Sequence, residues 1–168
     1  MLYGSPDPQL LAALIRGEAG FTRPEAALEG LSGEQAAAKP HGLPHSIAEI
    51  VAHMLFYQDL VNNVTTGAPL MLPRHASEGW PAVAVDGWDS LRERFLAALR
   101  RGEELTGNAA ALSRRLLPEG QEFFGFEKHT AGSLMADIAA HNAHHLGQVV
   151  TIRHLLGAWP PPQGGMTW

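Results

Sequence analysis

Apolar positions recur along this chain at helical rather than strand spacing, in four stretches separated by segments rich in glycine and proline. The first stretch covers about Asp7 to Ala19. Leu10, Leu11, Leu14 and Ile15 form an i, i+1, i+4, i+5 stripe, and Gly20 offers a stop. A proline-started turn of helix is expected at Arg23–Ala26, because proline is tolerated in a first helical turn. Residues 31–46, LSGEQAAAKPHGLPHS, read as an extended connection on account of Pro40, Gly42 and Pro44. The second stretch has the clearest start. Ser46-Ile47-Ala48-Glu49 matches a capping box, in which the serine accepts from a first-turn amide and the glutamate reaches back to the cap amide. Ile47, Ile50, Val51, Met54 and Leu55 mark the buried stripe that follows, and Gly67 and Pro69 end it.

From 67 to 87 the chain, GAPLMLPRHASEGWPAVAVDG, has no convincing period. A connection of that length in a compact domain usually covers or binds something. Ala82-Val83-Ala84-Val85 is strand-like but too isolated to support a sheet. A third helix is expected from Trp88 or Asp89 to near Ala111, with Leu91, Phe95, Leu96, Leu99 and Leu105 inward and Gly102 and Gly107 weakening its later turns. Residues 112–129, which include Phe123, Phe124 and Phe126, are irregular. The fourth helix is expected from Thr130 or Ser133 to about Leu156, with Gly157 after it. The tail AWPPPQGGMTW cannot be regular helix, and Trp159 and Trp168 are expected to pack it back on the body. Four helices with little strand signal predict an all-α four-helix bundle with long irregular connections, a single domain over 1–168.

Composition narrows the function. Hydrophobic residues make up 45% of the 168 and charged residues 17%, so a buried core is affordable and global disorder is excluded. The formal net charge is −5 and the basic residues are scattered, with no stripe of the kind a phosphate backbone requires; nucleic acid is a poor partner. No apolar run approaches the ~20 residues of a membrane span, and the start of the chain carries no basic leader. With no cysteine, disulfides and thiolate–metal sites are excluded, and a cytoplasmic location is expected.

With thiols absent, the nine histidines are the only soft-to-borderline metal ligands. In HNAHHLGQ, 141–148, His141 and His145 stand four apart, so one helix face presents both imidazoles. His144, three after His141, could replace His145 in that pair. His53, two turns inside the second helix, is the candidate third ligand. Three neutral imidazoles leave coordination positions open for water or substrate. Glu49 and Asp137, each four residues before a histidine of this set, are candidates to hold a ligand ring through its second nitrogen; solvent-facing carboxylates are an equal reading. His41, His45, His75, His129 and His154 lie in loops or near helix ends and are assigned no metal role.

The runs LEGLSGEQAAAKPHGLPHSIAEIVAHM at 28–54, HNAHHLGQVVTIRHLLG at 141–157 and GAWPPPQGGMTW at the end resemble, in this order and spacing, the DinB-like (DinB/YfiT) family. The resemblance covers nearly the whole chain. It implies an up-down-down-up bundle, often a homodimer, with a divalent ion (commonly zinc or nickel) on His53, His141 and His145, which selects His145 over His144. It further implies a thiol-dependent S-transferase acting on a small-molecule electrophile with a low-molecular-weight thiol as cosubstrate. A metal-dependent hydrolase and a non-catalytic metal-binding scaffold are the competing expectations. The stretch between the second and third helices offers no residue that maps to a family function. A substrate pocket is expected to draw on Tyr57, Trp80, Trp88 or the phenylalanines at 123–126, and a hydrolytic base on Glu49, Asp59 or Asp137.

Overall fold

A computed structural model describes residues 2–18 and 22–164. Among them are seven α-helices and no strand; one isolated bridge pairs Arg115 with Thr130. The helices are α1 (Pro8–Ile15), α2 (Pro24–Leu28), α3 (Gly33–Ala37), α4 (Ile47–Thr65), α5 (Trp88–Leu105), α6 (Ala109–Leu112) and α7 (Ala131–Leu155). The four longest, α1, α4, α5 and α7, make the bundle. α4 packs on both α5 and α7, and α1 closes the ring against the same two.

Local chemistry accounts for most of the boundaries. Asp7 caps α1 by accepting from the amides of Gln9 and Leu10. Ser46 and Glu49 form the reciprocal capping box at α4, and Thr130 and Ser133 form another at α7. The third predicted helix is divided: α5 stops at Leu105, and Asn108 starts the short α6 by accepting from the Ala111 amide. Gly107 lies in that break, where its weak helix propensity was expected to act.

Two expectations need correction. The stretch expected to be extended contains α3, whose capping box joins Ser32 and Gln35, a signal present in the sequence ahead of the prolines. Ala82–Val85, too isolated to support a sheet, forms no strand, and Val85 opens a 3₁₀ turn. Leu10 is exposed, and α1 buries Leu11 and Ile15 only. The proposed stop at Gly20 and the tail residue Trp168 lie outside the described residues.

The core is built from Met54, Phe95, Met135, Leu11 and Leu28 with their aliphatic neighbours, and from Trp88, which is 2% exposed and donates from Nε1 to the Leu31 carbonyl at 2.9 Å. One charged side chain is inside. Arg153 is 1% exposed and donates to the carbonyls of Ala27 (2.7 Å) and Ala158 (2.9 Å), and its guanidinium lies 5.3 Å from the centre of the Trp159 ring. It thereby ties α2 and the tail to α7. Arg153→Met should therefore leave buried carbonyls without donors and lower stability by about 3 kcal/mol. A urea titration checks this; an unchanged midpoint would show that the carbonyls find other donors.

Candidate metal centre

His53 projects from α4, and His141 and His145 from one face of α7, across the seam between the two helices. One ring nitrogen from each lies within 4.8 Å of the others. His53 and His145 are buried and His141 is partly so. The Nε2 atoms of His53 and His141 stand 3.1 Å apart. His144 is exposed on the other side of the turn and does not join the group.

The outward nitrogens reveal the tautomers. His53 Nδ1 lies 2.7 Å from the Gly79 carbonyl; a carbonyl has no proton, so Nδ1–H donates and Nε2 of the neutral ring keeps its lone pair. His145 Nδ1 donates to Gln148 Oε1 at 2.7 Å, and that amide's nitrogen faces His144 Nε2 at 3.2 Å. His141 Nδ1 is buried with no partner among the described residues. All three rings have pKa values below the ordinary histidine value. Burial is the main cause, and repulsion between neighbouring rings adds to it, pushing His141 down to about 4. The rings are therefore neutral near pH 7, the form that ligates a metal.

The long unpatterned connection supplies what the helices lack. Its 3₁₀ turn Ala76–Gly79 brings the Gly79 carbonyl to His53, and Trp80 then stacks on the His53 ring at 3.9 Å with 13° between planes. The other face of Trp80 carries His45, at 3.7 Å and 11°. Glycine at 79 leaves room for Tyr57: a Cβ there would come within 2.9 Å of the Tyr57 hydroxyl and push that side chain aside.

The two carboxylates proposed to hold ligand rings lie elsewhere. Glu49 closes the α4 capping box and pairs with Lys39 at 2.8 Å. Asp137 faces His129, its Oδ2 3.5 Å from Nδ1. The partners of His53 and His145 are Gly79 and Gln148. Gln148 could have been found at i+3 from His145 on the same helix; Gly79 carried no sequence signal.

A cavity of about 510 Å³ opens beside the triad, lined by His53 and His141, by Tyr57 and Phe126, and by the His129–Asp137 pair. Phe124 also reaches it. Trp80 contributes only through its stack on His53, and Trp88 belongs to the core. Asp59 lines a separate cavity of about 780 Å³ between α4, α5 and the long connection, where burial raises its pKa against the pull of Arg94 and Arg101.

Three imidazoles converging between facing helices of a bundle form a group that could hold a metal ion. The DinB superfamily pattern matches residues 18–149, and the chain belongs to that superfamily. No curated protein and no solved structure matches it. No helix among the described residues is long and apolar enough to cross a membrane.

The depressed ring pKa values fix the sign of a pH effect. In the unfolded chain the same histidines titrate near ~6.5. Between that value and about 4 the unfolded chain binds more protons than the folded one, so stability falls as pH drops through this window. Thermal melts of the metal-free protein should show a lower Tm at pH 5 than at pH 7.5, with a shallower dependence in His141→Ala. Identical slopes in the two proteins would mean that His141 is not held neutral by the fold.

Proposed function

We propose that His53, His141 and His145 hold one divalent metal ion and that the protein is a metal-dependent enzyme, a thiol S-transferase acting on small electrophiles. The observation that carries the metal assignment is the pairing of committed outward nitrogens with converging inward ones. Nδ1 of His53 and of His145 is held by an acceptor, while Nε2 of His53 faces Nε2 of His141 at 3.1 Å. Two nitrogens bound tetrahedrally to one zinc at ~2.0–2.1 Å lie about 3.3 Å apart, close to the His53–His141 spacing, and the 4.8 Å span of the three-ring group would contract onto the ion. Imidazole donors favour zinc or nickel over the hard cations. A resident ion would supply Lewis acidity to a small thiol or to water, favouring the deprotonated nucleophile.

The rest is the work of the chain. Gly79 and Gln148 hold two ligand rings in the required tautomer, and the Trp80 stack restrains the His53 ring plane. The adjoining cavity has room for a small molecule, and the rings of Tyr57, Phe124 and Phe126 give it apolar walls suited to an uncharged electrophile. The absence of cysteine means that no thiol of the protein competes with a thiol cosubstrate.

A metal-dependent hydrolase is the second reading, favoured by one specific observation. His129, whose Nδ1 lies 3.2 Å from the Ser133 hydroxyl and 3.5 Å from Asp137, lines the same cavity and would take the proton of a water nucleophile.

Elemental analysis of tag-free protein that has never met a nickel column should find about one divalent ion per chain, and almost none in His141→Ala/His145→Ala. A wild type that carries no ion and takes up neither zinc nor nickel would end the proposal. Turnover of electrophiles should then require added thiol; thiol-independent turnover would favour the hydrolase. Chelation should lower Tm only modestly, because the apolar core carries most of the fold; collapse of the fold on chelation would favour a structural ion.

A further inference from the structure

The connection between α4 and α5 has little polar hold on the rest of the molecule. Among the described residues, a single hydrogen bond joins residues 69–83 to any other part of the chain: His53 Nδ1 donates to the Gly79 carbonyl at 2.7 Å. The remaining bonds of its turn are internal. Glu78 N donates to the His75 carbonyl, Trp80 N to the Ser77 carbonyl, and Arg74 N to the Glu78 carboxylate. None of these fixes where the turn lies over the triad.

A stack of three rings does so. Trp80 lies between His45 and His53 and nearly parallel to both, 3.7 Å and 11° from the first, 3.9 Å and 13° from the second. Both imidazoles are placed by one helix. His53 is on α4, and His45 immediately precedes Ser46, the residue that caps it. The entry to α4 is itself held. Ser46 and Glu49 form the capping box, and Lys39 donates to the Glu49 carboxylate at 2.8 Å and to the Pro44 carbonyl at 3.1 Å. α4 and its entry thus present two imidazoles as jaws at a spacing that one indole fills, and the connection inserts its indole between them.

We propose that His45 is a positioning residue for the metal centre: it closes a clamp on Trp80 that keeps the Gly79 carbonyl on His53 Nδ1. Without the His45 ring, the turn would be held at His53 by one stack and one hydrogen bond. The Gly79 carbonyl fixes the proton on Nδ1 of His53, so a looser turn also loosens the tautomer that leaves Nε2 facing the triad. His45 acts through Trp80 and ligates nothing. The zinc arm of this inference rests on the three-histidine reading; the ring-stack arm does not.

Three readouts test it. In the metal-free wild type the indole ring current should move the His53 ring protons upfield of ordinary histidine values, read from 1H–13C spectra. His45→Ala should relax that shift and speed amide exchange at Glu78 and Trp80 by about 3- to 10-fold, the size of effect one ring pair supplies. Zinc affinity, read by competition with a chromophoric chelator, should weaken by a similar factor. His45→Phe restores a ring without the contact to Glu49, and should return all three readouts close to wild type. A role for His45 in helix entry alone would leave the His53 ring protons where they are. Circular dichroism reports whether each variant folds. Should His45→Ala not fold, the wild-type ring shifts and His45→Phe decide. Unshifted His53 ring protons in the wild type, a folded His45→Ala with wild-type shifts and exchange, or a His45→Phe that behaves as His45→Ala overturns the proposal. A wild type that takes up no zinc overturns the metal reading alone, and the ring shifts and amide exchange then decide the role of His45.

Discussion

Bringing three imidazoles into the seam between α4 and α7 draws both nitrogens of each ring away from bulk water, and every one of those atoms then needs a donor, an acceptor or an ion. Much of the surrounding architecture follows from that demand. The connection after α4 turns back over the site and delivers the Gly79 carbonyl, and the absent side chain at 79 leaves Tyr57 its place. α7 supplies Gln148 one turn beyond His145. On the inner side His53 Nε2, whose lone pair is free, accepts from His141 Nε2 at 3.1 Å, a proton that a bound cation would displace.

The triad and the buried amides of Gln58, Asn62 and Asn142 line that seam, and the apolar core continues beside them. Met54, Phe95 and Met135 pack without reference to the histidines, and the capping boxes of α4 and α7 define those helices locally. The separation matters for function. A bundle held by its own core can present a preorganised set of rings, so the site need not be assembled by the ion it would hold. Arg153 plays the corresponding part at the other end of α7, where a buried cation satisfied by backbone carbonyls anchors α2 and the tail.

The surroundings of the triad bear on its chemistry. Burial and mutual repulsion keep the rings neutral, and the aromatic walls of the adjoining cavity favour an apolar small molecule. The His129–Asp137 pair places a proton-accepting group on the same cavity from outside the triad. It marks the point at which the transferase and hydrolase readings diverge, since a thiol nucleophile brings its own acidity and water does not.

Helices and their ends were legible because they depend on short-range rules. The apolar spacing around Leu11, Met54 and Phe95, the capping box at Ser46, the helix start near Thr130, and the i, i+4 spacing of His141 and His145 are all set within a few residues of chain. The capping box at Ser32 was equally local and was masked by the prolines after it. What each ring nitrogen touches obeys no such rule. Glu49 and Asp137 had suitable spacing from His53 and His141, yet nearer partners engage both carboxylates: Lys39 and the Ser46 amide for one, His129 for the other. Gly79 and Trp80 sit in a segment without periodicity, and the hydrogen-bonded amides of Asn142, Gln58 and Asn62 end on the Ala98 carbonyl of a third helix. The sequence by itself determined the helices and which face of α7 presents two imidazoles. Only the tertiary structure decided the partner of each polar atom, because a hydrogen bond between elements depends on ångström-scale placement that no spacing along one chain segment encodes.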